Sequence, residues 1–393
     1  MRRLDDIDVG GRRVLVRVDF NVPLKAGAIS DDTRIRAALP TIENLRRRGA
    51  RVILVSHLGR PNGAPDLALS LAPVAKRLGE LLGTDVAFAT DVVGPSAQAA
   101  VAKLRAGDVL VLENVRFEPG ETRNDDALAA ALGELTDVYV DDAFASAHRA
   151  HASTEGVTHH VAQTAAGLLL EREVTTIRGI LAEPQRPLVA ILGGAKVTDK
   201  IAVIRRFLDL ADTILIGGAM CFPFFAAQGH SIGSSLCEEE GIEPAREALE
   251  LAQGARATLR LPLDLGLAES IDDGAPRRDS DGVDVPDGWI GLDIGPRTAA
   301  AYAEEIDKAG TIFWNGPMGV FELDSFAAGT KAVAEAVAAA SATSVAGGGD
   351  SVAALTMLGL EGSVSHLSTG GGATLELIEG RELPGVAALE ASA

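Results

Sequence analysis

The sequence predicts an α/β protein with two doubly wound domains, each built on a parallel sheet. Short apolar runs rich in Val, Ile and Leu alternate with longer segments of helical periodicity along both halves of the chain. The runs are continuously apolar, which is typical of strands in a sheet covered by helices on both faces. A length of 393 residues also exceeds what one hydrophobic core usually holds.

Each predicted element follows from this alternation. The predicted strands are Val14–Val18, Val52–Val55, Val109–Leu112, Val138–Val140, Leu188–Leu192, Thr213–Ile216, Thr311–Trp314 and Thr343–Ala346. The predicted helices are Thr33–Arg48, Ser70–Leu82, Asp126–Leu135, Lys200–Leu208 and Gly329–Ala340. Ligands of open α/β sheets bind outside the carboxyl ends of the strands, so the informative residues are expected just after each run.

The boundary between the two domains is predicted within residues 164–182. The segment Gly167–Leu181 has helical periodicity and is followed by Pro184 and Pro187, which indicates a connecting helix rather than a flexible linker. The segment Asp272–Gly288 is rich in Asp, Gly and Pro, and we expect it to form a surface excursion.

Composition narrows the class of protein. The formal net charge of −19 argues against non-specific binding to nucleic acid. The longest apolar run, Ile214–Ala227, contains Pro223 and is too short to cross a bilayer, so it predicts a buried strand and a turn. No apolar segment of signal-peptide type follows the first residues. Cys221 and Cys237 cannot form a disulfide framework, which favours a reducing compartment and a cytoplasmic protein.

Basic residues follow the predicted strands of the first half. Arg60 and His57 follow the second strand and Arg116 the third, while Arg149 follows the fourth and Arg34 opens the first helix. Each arginine alone is most simply a surface residue paired with an acid. Together they converge at one sheet edge, and because guanidinium groups bind phosphate and carboxylate in bidentate fashion, the set predicts an anion site.

Two other interpretations of this edge are weaker. His57, His148 and His151 could suggest a metal site, but no cysteine lies near them and no HExxH motif is present. Substrate hydrogen bonding or a satisfied structural role suits them better. Asp19 could act as a general base, but among arginines it is better interpreted as an ionised partner of an Arg or of a substrate hydroxyl.

Glycines and lysines take the corresponding positions in the second half. Gly193-Gly194-Ala195-Lys196 and Lys200 follow one strand, and glycine turns at 347–351 and 368–374 lead into helices. Such backbone admits a ligand closely, and free N–H groups at helix N-termini favour phosphate. A Walker A motif and a clean GxGxxG fingerprint are both absent from the sequence, so a nucleotide phosphate site of another type is predicted, with Asp350 as a Mg²⁺ ligand.

These segments together resemble the phosphoglycerate kinase family nearly from end to end. The matching segments are RVDFNVP from Arg17, HLGRP from His57, ENVRF from Glu113, AHRAH from Ala147, GGAKVTDK from Gly193, WNGPMGVFE from Trp314, GGGD from Gly347 and STGGGATLE from Ser368. They are long and ordered, which makes the resemblance specific.

The resemblance implies two Rossmann-like domains joined by a helix and reversible phosphoryl transfer between 1,3-bisphosphoglycerate and MgADP. It implies 3-phosphoglycerate and ADP or ATP as partners, with Mg²⁺ as cofactor, no nucleic-acid or membrane partner, and a monomer that closes by hinge bending. The implied divisions are residues 1–166, a helix at 167–182, residues 183–372, and a segment 373–393 that packs back on the first domain.

The resemblance also implies a role for each matching site residue. The phosphoglycerate side comprises Asp19, Phe20, Asn21, Arg34, His57, Leu58, Gly59, Arg60, Arg116 and Arg149. The nucleotide side comprises Lys196, Lys200, Gly217, Gly218, Gly291, Leu292, Asn315, Glu322, Gly348, Gly349, Asp350 and Ser351, with Asp350 also on the metal. For catalysis we expect Arg34 and Lys196 to stabilise the moving charge, assisted by the helix N-termini at Gly349 and Gly372.

Two positions depart from the family pattern. Ala219 stands where a third glycine is usual, which bears on the base pocket, and Ser351 replaces a Thr but keeps the hydroxyl. A catalytically silent nucleotide-binding relative is the other class considered. The presence of Arg34, Lys196 and Asp350 speaks against it. Another enzyme class, such as an acetate-type kinase, gives no reason for the arginine set.

Overall fold

The structure is a computed structural model that describes residues 1–25, 27–272 and 274–392. The described chain forms two compact units. Unit 1 contains residues 1–175 and 381–392, and unit 2 contains residues 176–380. Asp273, inside the predicted surface excursion, and Ala393, the last residue of the predicted C-terminal segment, lie outside the described residues.

Unit 1 is built on a parallel sheet. The strands are β1 (Arg13–Arg17), β2 (Leu24–Lys25), β3 (Ala28–Ile29), β4 (Arg51–Val55), β5 (Ala87–Phe88), β6 (Val109–Val111), β7 (Val138–Asp141) and β8 (Thr164–Ala166). The order across the sheet is β5-β6-β4-β1-β7-β8, with β2 and β3 paired separately as an antiparallel ladder. The side chains of Val14, Leu15 and Val16 on the central strand β1 are all 0% exposed, as a sheet covered on both faces requires.

The helices of unit 1 begin and end at residues suited to those positions. They are α1 (Thr33–Arg47), α2 (Ala72–Leu82), α3 (Pro95–Lys103), α4 (Asp126–Glu134) and α5 (Leu168–Ala182), the last of which continues into unit 2. Asp125 caps α4 by accepting a hydrogen bond from the N–H of Leu128 at 3.0 Å. Gly83 ends α2 with a φ of 63°, a left-handed conformation that glycine adopts without strain.

Unit 2 contains a second parallel sheet and a small antiparallel one. The strands are β9 (Leu188–Leu192), β10 (Thr213–Ile216), β11 (Thr258–Arg260), β12 (Leu265–Ala268), β13 (Arg278–Asp279), β14 (Ile290–Ile294), β15 (Thr311–Asn315), β16 (Thr343–Gly347) and β17 (His366–Ser368). The parallel sheet has the order β11-β10-β9-β15-β16-β17, and the antiparallel sheet has the order β13-β12-β14.

The remaining helices flank these sheets, except the last, which belongs to unit 1. They are α6 (Ile201–Leu210), α7 (Phe222–Ala227), α8 (Glu239–Ala252), α9 (Pro296–Asp307), α10 (Ala328–Ala339), α11 (Gly349–Met357), α12 (Gly372–Ile378) and α13 (Pro384–Ala391). The N–H of Gly385 in α13 donates to the carbonyl of Ala147 in unit 1 at 2.9 Å. Within the described residues, no helix combines the length and the apolar character needed to cross a membrane.

The predicted fold class is confirmed, and each predicted strand is present within about one residue at its ends. The sequence analysis missed the edge strands β5, β8, β11 and β17, which at two or three residues are too short to show a pattern. It also missed the antiparallel sheet. Part of the predicted surface excursion is therefore strand β13, and the end of the long apolar run forms α7 rather than a turn alone.

Candidate functional site

The basic residues predicted to converge in unit 1 do lie together. We call His57, Arg34, Arg60, Arg116 and Arg149 the arginine rim. The last three line one cleft of about 560 Å³. Burial lowers the pKa of Arg116, and the charges of Arg149 and Arg60 lower it further. The Nε atom of Arg116 is buried and makes no hydrogen bond within the described part of the chain, so the cleft favours an anion that can accept from it.

The turn after β1 is tied to the rim by polar contacts. Arg34 donates to the carboxylate of Asp19, which also accepts from the N–H of Asn21 at 3.1 Å. The side-chain oxygen of Asn21 accepts from the N–H of Gly59 at 2.9 Å. Phe20 is fully buried below the turn. Asp19 therefore orients Arg34, and Asn21 joins the turn after β1 to the turn after β4.

Asn114, which the sequence analysis did not single out, organises the next turn. Its amide donates to the carbonyls of Leu58 and Leu69 at 2.7 and 3.0 Å, and its oxygen accepts from the N–H groups of Leu58 and Arg116 at 3.2 and 3.1 Å. Arg116 in turn donates to the carbonyl of Gly59 at 2.7 Å. One buried side chain thus sets the relative positions of the residues that follow β4 and β6.

In unit 2 the glycines predicted to admit a ligand form a tightly packed backbone arrangement. We call Gly193, Gly194, Gly218 and Gly316 with Lys200 the glycine cradle. A Cβ atom on Gly193 would lie 2.0 Å from the carbonyl oxygen of Pro317, and one on Gly218 would lie 2.6 Å from the backbone of Gly194. Gly218 and Gly316 also have φ values of 67° and 98°, and a Cβ atom on Gly316 would lie 2.2 Å from the carbonyl oxygen of Gly193. Both the backbone conformation and the lack of space therefore require glycine at these two positions.

The two lysines of this region differ in their surroundings. Lys200 is partly buried, and its Nζ donates to the carbonyls of Gly193 and Asn315, the latter at 3.2 Å. Burial lowers its pKa to about 8, although the charges of Asp350 and Asp199 oppose the shift. The side chain of Lys196 is 62% exposed, with Nζ 3.9 Å from Glu238. Lys200 is held against the backbone, whereas Lys196 extends into solvent.

The glycine turn at 347–349 leads into α11. Gly348 has a φ of 90° and precedes the helix, and a Cβ atom there would lie 2.9 Å from the amide of Asn315. Asn315 donates to the carbonyl of Gly347 at 2.9 Å. The hydroxyl of Ser351 is buried and accepts from the N–H of Gly316 at 2.6 Å, which joins the turn to the glycine cradle. The Ser351 hydroxyl therefore has an internal partner.

Asp350 is the residue that fits a magnesium ion. It is exposed in the first turn of α11, close enough to Lys200 for its charge to affect that pKa. No cluster of three potential ligands occurs among the described residues. Mg²⁺ is commonly held by one or two carboxylates together with substrate phosphates and water, so a single carboxylate beside a phosphate-type turn fits it.

Of the four residues expected around a nucleotide base, Gly291 and Leu292 lie on β14, whereas Gly217 and Gly218 follow β10. Gly291 packs against Phe222, where a Cβ atom would lie 2.4 Å from the ring, and its N–H donates to the hydroxyl of Ser235 at 2.9 Å. The carbonyl of Leu292 accepts from the N–H of Val320 at 2.8 Å. The exposed Glu322 follows two residues later, so this backbone bond joins the strand to the segment that carries Glu322.

Comparison with known proteins decides the family. A model of the phosphoglycerate kinase family matches residues 4–381. The chain belongs to the phosphoglycerate kinase family. It is 55% identical over 388 residues to the phosphoglycerate kinase of Rubrobacter xylanophilus, covering 99% of this chain and 98% of that one. Membership of this family makes the chain a phosphotransferase.

Solved structures of the family have the same fold. The structure of phosphoglycerate kinase from Coxiella burnetii gives a TM-score of 0.90 at 41% identity, covering 99% of this chain and 98% of that chain. The crystal structure from Pyrococcus horikoshii gives a TM-score of 0.88 at 34% identity, covering 100% and 99% respectively.

Sequence reasoning also missed Arg17. It was quoted only as the first residue of a matching segment, yet its side chain is 1% exposed and one of its Nη atoms lies 3.1 Å from Nδ1 of His57. The available signal was its position as the charged residue before Val18 at the end of an otherwise apolar strand. A charge at such a position needs a buried partner, and sequence alone does not reveal which one.

Proposed function

We propose that the chain catalyses reversible phosphoryl transfer from 1,3-bisphosphoglycerate to MgADP, giving 3-phosphoglycerate and MgATP. One observation carries the proposal: a chain of the phosphoglycerate kinase family combines a guanidinium-lined cleft with a lysine-containing glycine cradle, each at the carboxyl edge of a parallel sheet. The first suits a small acid with several negative charges, and the second suits nucleotide phosphates.

On the phosphoglycerate side, Arg60, Arg116 and Arg149 bind the phosphate that does not react. The unpaired Nε of Arg116 and the cleft shared by these three side chains support this assignment. Arg34, oriented by Asp19, is directed to the reacting end, where it stabilises charge on the transferring group. Asn21, His57 and the backbone at Phe20, Leu58 and Gly59 complete the contacts to the three-carbon acid.

On the nucleotide side, Lys196 and Lys200 bind phosphate oxygens together with the turn from Gly348 to Ser351. Gly217, Gly218, Gly291 and Leu292 surround the base, Asn315 lies beside the phosphates, and Glu322 binds the ribose. Magnesium would be held by Asp350 together with the nucleotide phosphates, and when bound it neutralises phosphate charge. The exposed Lys196 is free to follow the transferring group, which the more constrained Lys200 is not.

The reaction requires little covalent chemistry from the protein. The bond between phosphorus and the acyl oxygen breaks as a β-phosphate oxygen of ADP forms a new bond to phosphorus on the opposite side. The leaving group is a carboxylate and takes up no proton, so no general acid is needed. The attacking β-phosphate oxygen of ADP carries no proton, so no general base is needed either. Positioning and positive charge from Arg34, Lys196 and the helix N-termini at Gly349 and Gly372 supply the catalysis.

Because the two half-sites belong to different units, we further propose that the chain closes by hinge bending when both ligands are bound. The segments that join the units, α5 and the residues before α13, are the proposed hinge elements. We propose a first domain at 1–166 and a second at 183–372, joined by a helix at 167–182. The segment 373–393 is proposed to return to the first domain. We also propose that the protein is cytoplasmic and monomeric. Sedimentation at working concentration measures the oligomeric state.

Two substitutions test the assignment of ligands to units. Lys196→Ala should lower kcat far more than it changes KM for 3-phosphoglycerate, because its charge acts mainly on the transferring group. Arg60→Ala should chiefly raise KM for 3-phosphoglycerate, because it binds the non-reacting phosphate. Both are measured in a coupled assay of ATP formation and consumption. Lys103→Ala, at the end of α3, is the control and should change neither constant. Selective loss of nucleotide affinity in Arg60→Ala would mean that the ligands are assigned to the wrong units.

A further inference from the structure

A buried chain of polar groups lies behind the arginine rim. The Nε of Arg17 donates to the hydroxyl of Ser153 at 2.9 Å, and that hydroxyl donates to Oε1 of Glu121 at 2.7 Å. The N–H of Ser153 donates to the other carboxylate oxygen at 3.0 Å. Arg17 and Glu121 are 1% and 0% exposed. A full positive and a full negative charge therefore lie in the interior, joined through one serine.

Burying these two charged side chains costs free energy, because both lose their hydration. Burial opposes ionisation of Glu121, yet His151, whose Nδ1 lies 3.6 Å from Oε1, the charge of Arg17 and a hydrogen bond from Ser153 together lower its pKa. The carboxylate thus stays ionised and balances Arg17. Buried ion pairs rarely stabilise a fold better than apolar packing would, so their presence beside a binding cleft is better explained by what they orient.

What they orient is the ring of His57. One Nη of Arg17 lies 3.1 Å from Nδ1 of His57. A guanidinium has only donors, so Nδ1 must be the acceptor and can carry no proton. The ring is then neutral and its single proton lies on Nε2.

The charges around His57 act in the same direction. Burial lowers the pKa of His57 well below its ordinary value, and the charges of Arg17, Arg116, Arg34 and His151 lower it further. Protonation of Nδ1 would also break the bond from Arg17. The imidazole therefore keeps one fixed donor, Nε2–H, across the neutral range of pH.

We propose that Arg17 is a positioning residue that fixes His57 as the neutral Nε2–H tautomer, and that Glu121, acting through Ser153, holds Arg17 in place. The proposal rests on the proposed function, because it assigns the Nε2–H group to a hydrogen bond with an oxygen of the three-carbon acid. Arg17 itself contacts no substrate in this account. It specifies which nitrogen of His57 faces the ligand and keeps that nitrogen protonated.

The tautomer can be measured without ligand or turnover. In the full chain labelled with ¹⁵N histidine, His57 should show an unprotonated Nδ1 and a protonated Nε2 at neutral pH. In Arg17→Met the pKa of His57 should rise and the Nδ1–H tautomer should become populated. Glu121→Gln and Ser153→Ala should move the same signals by a smaller amount. Glu134→Gln, an exposed carboxylate of the same unit, is the control and should leave them unchanged.

Kinetics then separates positioning from a purely structural role. Arg17→Met should raise KM for 3-phosphoglycerate roughly tenfold, the loss of about one hydrogen bond to a charged ligand, with a smaller change in kcat and none in KM for ATP. The KM of this variant should acquire a dependence on pH that follows the titration of His57. Arg17→Lys, which keeps a donor, should recover part of the loss. If Arg17→Met fails to fold, Ser153→Ala carries the same comparison.

The proposal is overturned by either of two results. Wild-type protein whose His57 carries its proton on Nδ1, or is doubly protonated at neutral pH, contradicts the tautomer. Variants of Arg17 and Ser153 that leave the His57 signals unchanged contradict the relay. Neither result depends on kinase activity, so a chain that failed the proposed function would still give an answer here.

Discussion

At the scale of single residues, the candidate site depends on polar groups that hold its binding residues in place. Asn114 satisfies four backbone groups around the arginine rim, and Asp19 accepts from Arg34. Binding residues such as Arg60 are exposed and have long, flexible side chains. Their precision in binding must therefore come from the turns that carry them, and the turns depend on groups such as Asn114.

Replacing Asn114 tests this dependence. Asn114→Leu leaves four backbone groups around Leu58, Leu69 and Arg116 without their partner. We expect the free energy of unfolding to fall by at least about 2 kcal/mol, because each buried unsatisfied group carries a desolvation cost. We also expect KM for 3-phosphoglycerate to rise while KM for ATP stays the same. Urea denaturation and steady-state kinetics measure the two effects. Asn44→Ala on α1 is the control, and an unchanged KM for the acid in Asn114→Leu would contradict the argument.

The residues that sequence reasoning found and those it missed differ in a physical way. Arg60 and Arg116 were predictable because each follows an apolar strand, and the topology of a parallel sheet brings those ends together. Arg17 and Asn114 were not, because their roles come from partners distant in sequence. Ser153 lies 136 residues from Arg17 along the chain. Periodicity and spacing report local structure and contain no information on such pairs.

At the scale of elements, α5 begins on a buried carboxylate. Oδ1 of Asp142 accepts from the N–H groups of Leu169 and Leu170 at 2.8 and 3.4 Å. Burial raises the pKa of Asp142 to about 7, against the hydrogen bonds that lower it. A Cβ atom on Gly385, in the first turn of α13, would lie 3.2 Å from Oδ2 of Asp141, the neighbour of Asp142, and burial raises the pKa of Asp141 to about 6. The starts of α5 and α13 thus both lie beside this pair.

The raised pKa of Asp142 predicts how stability depends on pH. Between about pH 4 and pH 7 the folded chain holds a proton that the unfolded chain releases, so the free energy of unfolding falls as pH rises through this window. The shift corresponds to at most about 4 kcal/mol. Asp142→Asn should lack this part of the dependence and should be more stable than wild type above pH 7. Thermal midpoints at a series of pH values measure it.

Asp137 supplies a matched control of opposite sign. It precedes β7, and the hydrogen bond from Arg13 lowers its pKa. Asp137→Asn should therefore lose stability at neutral pH, since the ionised partner of Arg13 is gone. If the stability of wild type and of Asp142→Asn depended on pH in the same way, the pKa of Asp142 would be equal in the folded and unfolded chain. That result would contradict the prediction.

The elements themselves were predicted as far as their length allowed. Strands of four or five apolar residues, such as β9 and β10, coincide with the predicted ranges. Strands β5 and β13 have two residues each, and their pairing depends on neighbours rather than on their own composition. The small antiparallel sheet was missed because β13 is so short and because glycine interrupts the apolar residues of both β12 and β14. Strand β14 nevertheless carries two residues of the proposed base pocket.

At the scale of the whole molecule, the proposed function requires two ligands on two units to meet. Scattering measures the closure that this implies. The radius of gyration of the full chain should fall when 3-phosphoglycerate and a non-hydrolysable MgATP analogue are both present, and should change less with either alone, because only the two together place ligand on both units. Identical values in all four states, in protein that is fully active, would contradict hinge bending.

The central claim is that phosphorus passes directly and in line between two bound molecules. The most direct measurement uses ATP whose γ-phosphorus is chiral by oxygen isotopes and determines the configuration of the phosphoryl group in the 1,3-bisphosphoglycerate formed. A single in-line displacement predicts inversion. Retention would require an even number of displacements, hence a phosphorylated intermediate on the protein, and would contradict the account.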